Sequence, residues 1–287
     1  MTPVQRVERI GDVRRLIESW QQGGPVGLVP TMGALHAGHE RLLQQARDEC
    51  ARVVVSIFVN PLQFDRKDDL ERYPRTLESD ADACARIGVD ALFLPAVYEM
   101  YPTTPTCTVD PGDLATHLCG AYRPGHFRGV ATVVLKLLNI VAADRAYFGE
   151  KDAQQLAIVR RMVADFDVPV TIVGVPTVRE ADGLALSSRN VRLNARERTL
   201  APRLYQALRT ADDLIAHGET SVAAVKGRAA AVIGSDDLLR LEYRDVVDPL
   251  YLQPVETITG PVLVAGALWV GGTRLIDNCR SVPPGRL

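Results

Sequence analysis

The segment Val26–His39 has the sequence Val-Gly-Leu-Val-Pro-Thr-Met-Gly-Ala-Leu-His-Ala-Gly-His, and the predicted fold follows from it. Its apolar start predicts a buried strand, Pro30–Gly33 predicts a turn, and the helical spacing of Leu42, Leu43 and Ala46 predicts a helix directly afterwards. A strand that leads into a helix N-terminus leaves unpaired N–H groups and the positive end of the helix dipole at the turn. The segment therefore predicts a strand–turn–helix unit that can bind a phosphate group.

Two histidines, His36 and His39, stand three residues apart where this helix begins, so their side chains point the same way. Two imidazoles beside a helix N-terminus can donate hydrogen bonds to a triphosphate. A capped helix with two surface histidines explains the same spacing equally well. A metal site is not favoured, because no Cys, His or acidic partner stands nearby at ligand spacing. A zincin helix beginning at His39 would need a second histidine where Leu43 stands.

Strands alternate with helices up to about residue 177. The predicted strands are Val26–Val29, Arg52–Val59, Ala91–Leu94, Arg145–Phe148 and Pro169–Val175; the predicted helices are Val13–Trp20, Gly38–Cys50, Thr76–Ile87, Gly129–Ala142 and Asp152–Phe166. Asp65–Pro74 is expected to be a mobile loop, and Pro95–Pro124 to be irregular. This alternation predicts an α/β fold with a Rossmann-like parallel sheet and helices on both of its faces. In such sheets ligands bind beyond the carboxyl ends of the strands.

The pattern changes after Pro176. One long helix, Ala195–His217, is predicted to be the longest of the chain, and a second helix starts near Thr220. The strands predicted after it are Leu241–Val247, Val262–Val270 and Arg274–Asp277. We therefore expect two domains: residues 1–177, and a smaller C-terminal α+β domain, residues 178–287.

The bulk composition limits the classes of function. The 287 residues include 33 basic and 35 acidic side chains, for a net charge of −2, which argues against a nucleic-acid-binding surface. The five cysteines are scattered, which favours free buried thiols in a reducing compartment. The N-terminus has no apolar signal segment, and the longest apolar run, Val130–Ala143, is short and contains Lys136 and Asn139. We expect a cytoplasmic protein that does not span a membrane.

Polar clusters follow several of the predicted strands. Asn60 and Gln63 are neutral amides that can bind a carboxylate or a hydroxyl group, although a turn cap is the favoured explanation of Asn60 alone. Gly149–Asp152 contains Lys151, which can bind phosphate, and an ordinary charged helix start explains it equally well.

Two more clusters are basic. Ser187–Arg189 can form a phosphate clamp, although such a sequence alone is more often a surface loop. Arg123 and His126 are two further basic residues in a loop, and an ordinary solvent-exposed loop explains them as well. No Walker, dinucleotide-binding or nucleophile-elbow motif occurs. The residues together favour an enzyme that binds a nucleoside triphosphate.

Several motifs resemble the pantothenate synthetase (pantoate–β-alanine ligase) family. Pro30–His39 resembles its His-x-Gly-His signature, and the other matching segments are Ser56–Phe64, Tyr73–Thr76, Phe148–Asp152 and Val175–Asn190. They occur in the family's order and cover the chain from about Val26 to Asn190. The resemblance implies an ATP- and Mg²⁺-dependent, homodimeric ligase of His-x-Gly-His nucleotidyltransferase-like fold. Pantoate would be activated as pantoyl adenylate with release of pyrophosphate, and β-alanine would then displace AMP to give pantothenate.

The resemblance also implies roles for residues. His39 (as general acid), His36 and Lys151 would be catalytic. The residues implied to bind ATP are Pro30, Thr31, Met32, Gly33, Ala34, Leu35, His36, Ala37, Gly38, His39, Gly149, Glu150, Lys151, Asp152, Val178, Leu186, Ser187, Ser188 and Arg189. Gln63, Gln155, Asn60 and Arg123 would bind pantoate, and Gln63 also β-alanine; no magnesium ligand is implied. Leu186 and Ala153 depart from the family's usual Met and aromatic residues.

Two other functions stay open. A nucleotidyltransferase of the same superfamily would keep AMP on its product, and a scaffold protein would bind a nucleotide without reacting it.

Overall fold

The structure, a computed structural model, describes residues 4–20 and 23–285. Within them the chain forms two compact units. The first comprises Met1–Pro111, Arg123–Glu150 and Ile158–Pro176; the second comprises Gly112–Tyr122, Lys151–Ala157 and Thr177–Leu287. The predicted domains, 1–177 and 178–287, divide the chain at nearly the same point, but they assign Gly112–Tyr122 and Lys151–Ala157 to the first domain.

Strands and helices alternate through the first part of the chain. In order they are β1 (Gln5–Val7), α1 (Ile10–Trp20), β2 (Val26–Thr31), α2 (Ala37–Glu49), β3 (Arg52–Ile57), α3 (Lys67–Glu71), α4 (Leu77–Ile87), β4 (Ala91–Phe93), α5 (Val97–Met100), α6 (Cys119–Tyr122), α7 (His126–Val141), β5 (Arg145–Gly149), α8 (Ala153–Asp165) and β6 (Thr171–Val175). Short 3₁₀ helices lie at Pro61–Gln63, Gly112–Ala115 and Glu150–Asp152.

The sheet of the first unit has six strands in the order β1-β4-β3-β2-β5-β6, and every pair is parallel. On one face α2 and α4 bury Val29, Val53 and Val55, while α7 packs against β2 and contacts α1. Leu28 and Val54, which alternate with those valines, are fully buried as well. The predicted Rossmann-like parallel sheet is therefore confirmed.

The direction of the chain across this sheet reverses between β2 and β5. The β2–β3 ladder continues to Thr31, whereas the β2–β5 ladder ends at Leu28. Pro30 has no N–H and cannot extend a ladder on its free side. The ends of β2 and β5 thus mark the switch point at which doubly wound sheets bind ligands.

The second unit contains α9 (Ala195–Leu200), α10 (Arg203–Ala216), α11 (Val222–Ile233), β7 (Leu239–Val247), β8 (Val262–Val270) and β9 (Thr273–Ser281), with a 3₁₀ helix at Asn190–Arg192. The three strands form an antiparallel sheet in the order β7-β8-β9. Apolar residues of α10 and α11 pack against it, including Leu208 and Ile215. The predicted α+β character of the C-terminal part is confirmed.

Some local predictions are wrong. The single helix Ala195–His217 is two helices, because Pro202 lacks the N–H that would continue the first, and α7, with 16 residues, is longer than either. The turn predicted at Pro30–Gly33 starts later, since β2 includes Pro30 and Thr31.

Two segments expected to lack regular structure contain helices. Asp65–Pro74, the predicted mobile loop, contains α3, and Pro95–Pro124, predicted to be irregular, contains α5, α6 and a 3₁₀ turn. The edge strand β1 is absent from the prediction, because three residues carry too little periodicity to be recognised.

Candidate active site

The turn after β2 is held in an unusual backbone conformation. Gly33 has a φ of 80°, and Ala34 has a φ of 51°, a left-handed value that non-glycine residues seldom adopt. The hydroxyl of Thr31 donates to the backbone oxygen of Ser56 at 2.9 Å and accepts from the Gly33 N–H at 3.1 Å. The turn is therefore fixed to β3 at the switch point.

Asp80 of α4 holds the other side of this turn. Its carboxylate, in a residue only 2% exposed, accepts from the N–H groups of Ala34 at 3.0 Å and Leu35 at 2.9 Å, and from the Thr76 hydroxyl at 3.2 Å. A Cβ at position 33 would lie 3.0 Å from this carboxylate, so glycine also keeps the contact close. Asp80 is absent from the residues predicted from the sequence, because a carboxylate in a polar helix gives no local sign of a distant partner.

His36 and His39 form a reciprocal cap on α2. The Gly38 N–H donates to Nδ1 of His36 at 3.1 Å, and the His36 N–H donates to Nδ1 of His39 at 3.4 Å. An Nδ1 atom that accepts carries no proton, so both rings are neutral imidazoles with the proton on Nε2. The ring centroids are 4.1 Å apart. His36 and His39 thus form the helix cap that the sequence left as one of its two alternatives.

Asn60 and Gln63 follow β3 and are both buried. The Asn60 amide donates to Oε1 of Gln63 and to the backbone oxygen of Gly129, each at 3.1 Å, and its Oδ1 accepts from Leu62 N–H and the Tyr101 hydroxyl. Asn60 is therefore a turn cap that orients Gln63. The Nε2 group of Gln63 points instead toward Sδ of Met32, at 2.9 Å, on the turn after β2.

Helix α7 supports this pair of amides. A Cβ at Gly129 would lie 2.2 Å from the backbone oxygen of Leu62, so only glycine allows α7 to pack against the Pro61–Gln63 turn. Burial raises the pKa of Tyr101 to about 12, which keeps its hydroxyl protonated as the donor to Asn60.

Arg123 and His126 lie beside the same turn. Arg123 pairs with Asp65 at 3.1 Å and approaches Nε2 of His126 at 3.1 Å, and Nδ1 of His126 donates to the backbone oxygen of Gln63 at 2.7 Å. These contacts place Arg123 and His126 around the backbone of Gln63.

The first unit thus brings most of its predicted site residues to one edge of the sheet. Pro30–His39 follows β2, Asn60 and Gln63 follow β3, and Gly149 ends β5 with Glu150 directly after it. Because these strands are parallel, their carboxyl ends share that edge.

Lys151, Asp152 and Gln155 belong to the second unit. The ammonium of Lys151 lies 3.9 Å from the carboxylate of Asp152, and its side chain is 19% exposed. Gln154, beside the predicted Gln155, is buried and bonds to the backbone of Leu114, His117 and Gly120. Gln154 is thereby structural, whereas Gln155, also in α8, is half-buried.

The predicted residues Val178 and Leu186 pair with each other. The Leu186 N–H donates to the backbone oxygen of Val178 at 3.0 Å, and Arg179 and Ala185 form an antiparallel bridge. The turn that follows is closed by the Arg189 N–H, which donates to the Ser187 hydroxyl oxygen at 3.2 Å. Ser187, Ser188 and Arg189 are all half-buried.

Residues 4–20 and 23–285 contain no cluster of three or more His, Cys, Asp or Glu side chains placed to hold a metal ion. In the same ranges no helix is both long and apolar enough to cross a membrane.

Comparisons with known proteins give consistent results. A family model described as pantoate-beta-alanine ligase matches residues 5–280. The pantothenate synthetase of Ruminiclostridium cellulolyticum is 48% identical over 98% of this chain and 100% of its own. A bifunctional pantoate ligase/cytidylate kinase of Thermosynechococcus vestitus is 51% identical over 97% of this chain, which spans only 55% of that relative's length.

Solved structures agree with the sequence relatives. The pantothenate synthetase of Thermus thermophilus superposes with a TM-score of 0.91 at 44% identity, over 98% of this chain and 100% of its own. The pantoate-beta-alanine ligase of Francisella tularensis, solved with Beta-gamma ATP and beta-alanine, gives a TM-score of 0.80 at 34% identity over 96% of this chain and 97% of its own. Because the family model, the sequence relatives and the solved structures all match nearly the whole chain, the chain belongs to the pantoate–β-alanine ligase family.

Proposed function

We propose that this protein condenses pantoate with β-alanine at the expense of ATP, forming pantothenate, AMP and pyrophosphate through a pantoyl-adenylate intermediate. The observation that carries the proposal is the turn Pro30–His39, where two neutral imidazoles with protonated Nε2 atoms stand at the N-terminus of α2. That arrangement suits a triphosphate. Membership of the pantoate–β-alanine ligase family, matched over residues 5–280, is the reason for proposing pantoate as the acid and β-alanine as the amine.

The first step activates the carboxylate. A pantoate oxygen attacks the α-phosphorus of ATP, the bond from that phosphorus to the bridging oxygen breaks, and pyrophosphate leaves. Negative charge grows on the departing oxygens, and Nε2 donors of His36 and His39 would stabilise it without a protein nucleophile. His39, the general acid by family match, would act in this neutral tautomer chiefly as a hydrogen-bond donor.

The second step forms the amide. The neutral amine of β-alanine attacks the acyl carbon, the bond from that carbon to the phosphate oxygen breaks, and AMP leaves with that oxygen while the amine loses a proton. A mixed anhydride makes AMP a good leaving group. The Nε2 group of Gln63, oriented by Asn60, is proposed to donate to pantoate and to lie near β-alanine.

The remaining predicted contacts are proposed for the nucleotide and pantoate. Lys151 would bind phosphate as a point charge, and Gln155 would bind pantoate. The nucleotide would also contact Gly149, Glu150, Asp152, Val178, Leu186, Ser187, Ser188 and Arg189. Asn60 and Arg123, whose polar groups contact the protein around Gln63, are proposed to act by positioning it.

Magnesium is proposed to arrive as part of the substrate MgATP, with phosphate oxygens among its ligands. A homodimer and a cytoplasmic location remain proposals from the family likeness. Light scattering on the purified protein would test the homodimer directly.

An assay in which each substrate is omitted in turn tests the proposed function. ATP with pantoate should release pyrophosphate, and free AMP should appear in a sustained manner only after β-alanine is added. A product that retains AMP would indicate a nucleotidyltransferase instead. No pyrophosphate from ATP and pantoate would contradict catalysis altogether.

A further inference from the structure

A C-terminal strand contacts the backbone of the predicted phosphate-binding lysine. The side-chain amide of Asn278, on β9, donates to the backbone oxygen of Lys151 at 2.9 Å, across 127 residues of sequence. Lys151 lies in the 3₁₀ helix Glu150–Asp152, which has too few turns to hold itself rigidly. The contact therefore fixes the point from which the lysine side chain extends.

The neighbouring residue, Asp277, contacts the segment that contains Val178 and Leu186, which are also predicted to bind the nucleotide. Asp277, whose side chain is 3% exposed, receives two hydrogen bonds from the Arg179 guanidinium, at 2.6 and 3.0 Å. Burial alone would lower the pKa of Arg179, but the hydrogen bond and charge of Asp277 raise it above its ordinary value. This ion pair is therefore charged and bidentate, and its carboxylate is shielded from water.

Arg179 lies inside the hairpin that pairs Val178 with Leu186. Its guanidinium stacks on the Tyr205 ring at 4.2 Å and donates to the backbone oxygen of Gly183 at 3.0 Å. A Cβ at position 183 would lie 2.0 Å from the same tyrosine ring, so the hairpin tip is packed as closely as glycine permits. Asp277 thus anchors the hairpin through Arg179.

Asp277 and Asn278 are themselves held in the sheet. They pair with Gly266 and Ala265 of β8, and the Asn278 N–H also donates to the Asp277 carboxylate at 2.8 Å. Two consecutive residues of one strand therefore connect Lys151 and the Val178–Leu186 hairpin to a single rigid element.

We infer that Asp277 and Asn278 are positioning residues for ATP, which set Lys151 and the hairpin at a fixed spacing so that both meet the phosphate chain. The inference rests on the proposed function, because it takes Lys151 to bind phosphate. Asn278 acts through the Lys151 backbone and Asp277 through Arg179, and neither touches the substrate.

A double-mutant cycle between Asn278 and Lys151 tests this directly. Asn278→Ala should raise the KM for ATP about tenfold and leave the KM values for pantoate and β-alanine within about twofold. Lys151→Ala should raise the KM for ATP at least as much. The double variant should then be no worse than Lys151→Ala alone, because the amide has lost the group that it positions.

Two further variants separate positioning from folding. Asn139→Ala, at an exposed position of α7, is the matched Asn→Ala control and should leave all three KM values unchanged. Asn278→Ser, whose shorter side chain does not reach the Lys151 oxygen, should repeat the ATP effect. Asn278→Ser replaces Asn278→Ala in the test if circular dichroism shows that Asn278→Ala folds poorly.

The outcomes are distinguishable. Additive effects of the two substitutions, or an equal rise in all three KM values, would overturn the positioning role and leave the proposed function intact. An unchanged KM for ATP in Lys151→Ala would instead remove Lys151 from the nucleotide site, and the inference with it. Loss of substrate-dependent pyrophosphate release in the unmodified protein would contradict the proposed function itself.

Discussion

At the scale of single residues, one backbone hydrogen bond to each ring decides which imidazole nitrogen of His36 and His39 can donate a hydrogen bond to a ligand. Because backbone N–H groups donate to Nδ1 of His36 and of His39, each ring offers Nε2–H as its donor. A neutral imidazole in this tautomer stabilises developing negative charge by hydrogen bonding. The helix cap therefore also prepares the proposed catalytic groups.

His39→Ala tests this role. Loss of one preorganised donor should slow pyrophosphate release from ATP and pantoate by about 10²–10³-fold in single-turnover rapid quench. His217→Ala, at an exposed histidine after α10, is the matched control and should keep the unmodified rate. A His39→Ala rate close to that of the unmodified protein would remove His39 from the chemistry.

Asp80→Asn tests the support of the turn after β2. An amide cannot accept from both Ala34 and Leu35 as the carboxylate does, and each hydrogen bond to a charged group contributes about 1.5–3 kcal/mol. We expect single-turnover pyrophosphate release to slow at least about tenfold. The free energy of unfolding should fall by about 2 kcal/mol in urea titration. Asp82→Asn, on the exposed side of α4, should change neither quantity; equal behaviour of the two variants would contradict the role of Asp80.

At the scale of elements, the sequence predicted what depends on local periodicity and missed what depends on distant partners. The strand–turn–helix unit around Pro30–His39 could be predicted, because hydrophobic spacing and the histidine signature are local. Asp80 could not, since its partners are backbone N–H groups that its own helix does not reveal. The break at Pro202 is absent from the prediction of one helix over Ala195–His217, which follows apolar spacing alone, although proline cannot donate the hydrogen bond that continues a helix.

The packing of α7 against the Pro61–Gln63 turn gives a test at this scale. Gly129→Ala should force Leu62 and Gln63 away from α7 and lower the free energy of unfolding by about 1–3 kcal/mol. Because Gln63 is proposed to bind pantoate, the variant should weaken the binding of pantoate more than the binding of ATP. Gly227→Ala is the matched control, because a Cβ there meets no atom within 4 Å in α11. It should raise stability by about 0.4–1 kcal/mol. Urea titration gives the free energy of unfolding, and steady-state kinetics give the substrate KM values. If Gly129→Ala changed neither, α7 would not hold the turn.

At the scale of the whole chain, the expectation of free buried thiols is wrong for Cys107, which is exposed. Burial raises the pKa values of Cys84 and Cys279 to about 12 and also raises that of Cys50. Thiolate is the reactive form, so a thiol-specific disulfide reagent at mildly alkaline pH should label Cys107 first. Peptide mapping checks the order, and Cys107→Ser should abolish the fast phase. Fast labelling of Cys84 would contradict its burial.

The parallel sheet and the α+β character of the C-terminal part could both be predicted, because each has its own pattern of strands and helices. The assignment of Lys151 and Gln155 to the second unit could not, since the sequence around them continues directly from β5. Only the three-dimensional contact with Asn278 reveals which strand holds Lys151.

The transfer of labelled oxygen shows whether the pantoate carboxylate attacks the α-phosphorus of ATP. Pantoate labelled with ¹⁸O in its carboxylate is incubated with the protein, MgATP and β-alanine, and the products are analysed by mass spectrometry. One ¹⁸O atom should appear in AMP and the other should stay in pantothenate. Label in orthophosphate accompanied by ADP, or AMP without label, would contradict attack of the carboxylate on the α-phosphorus.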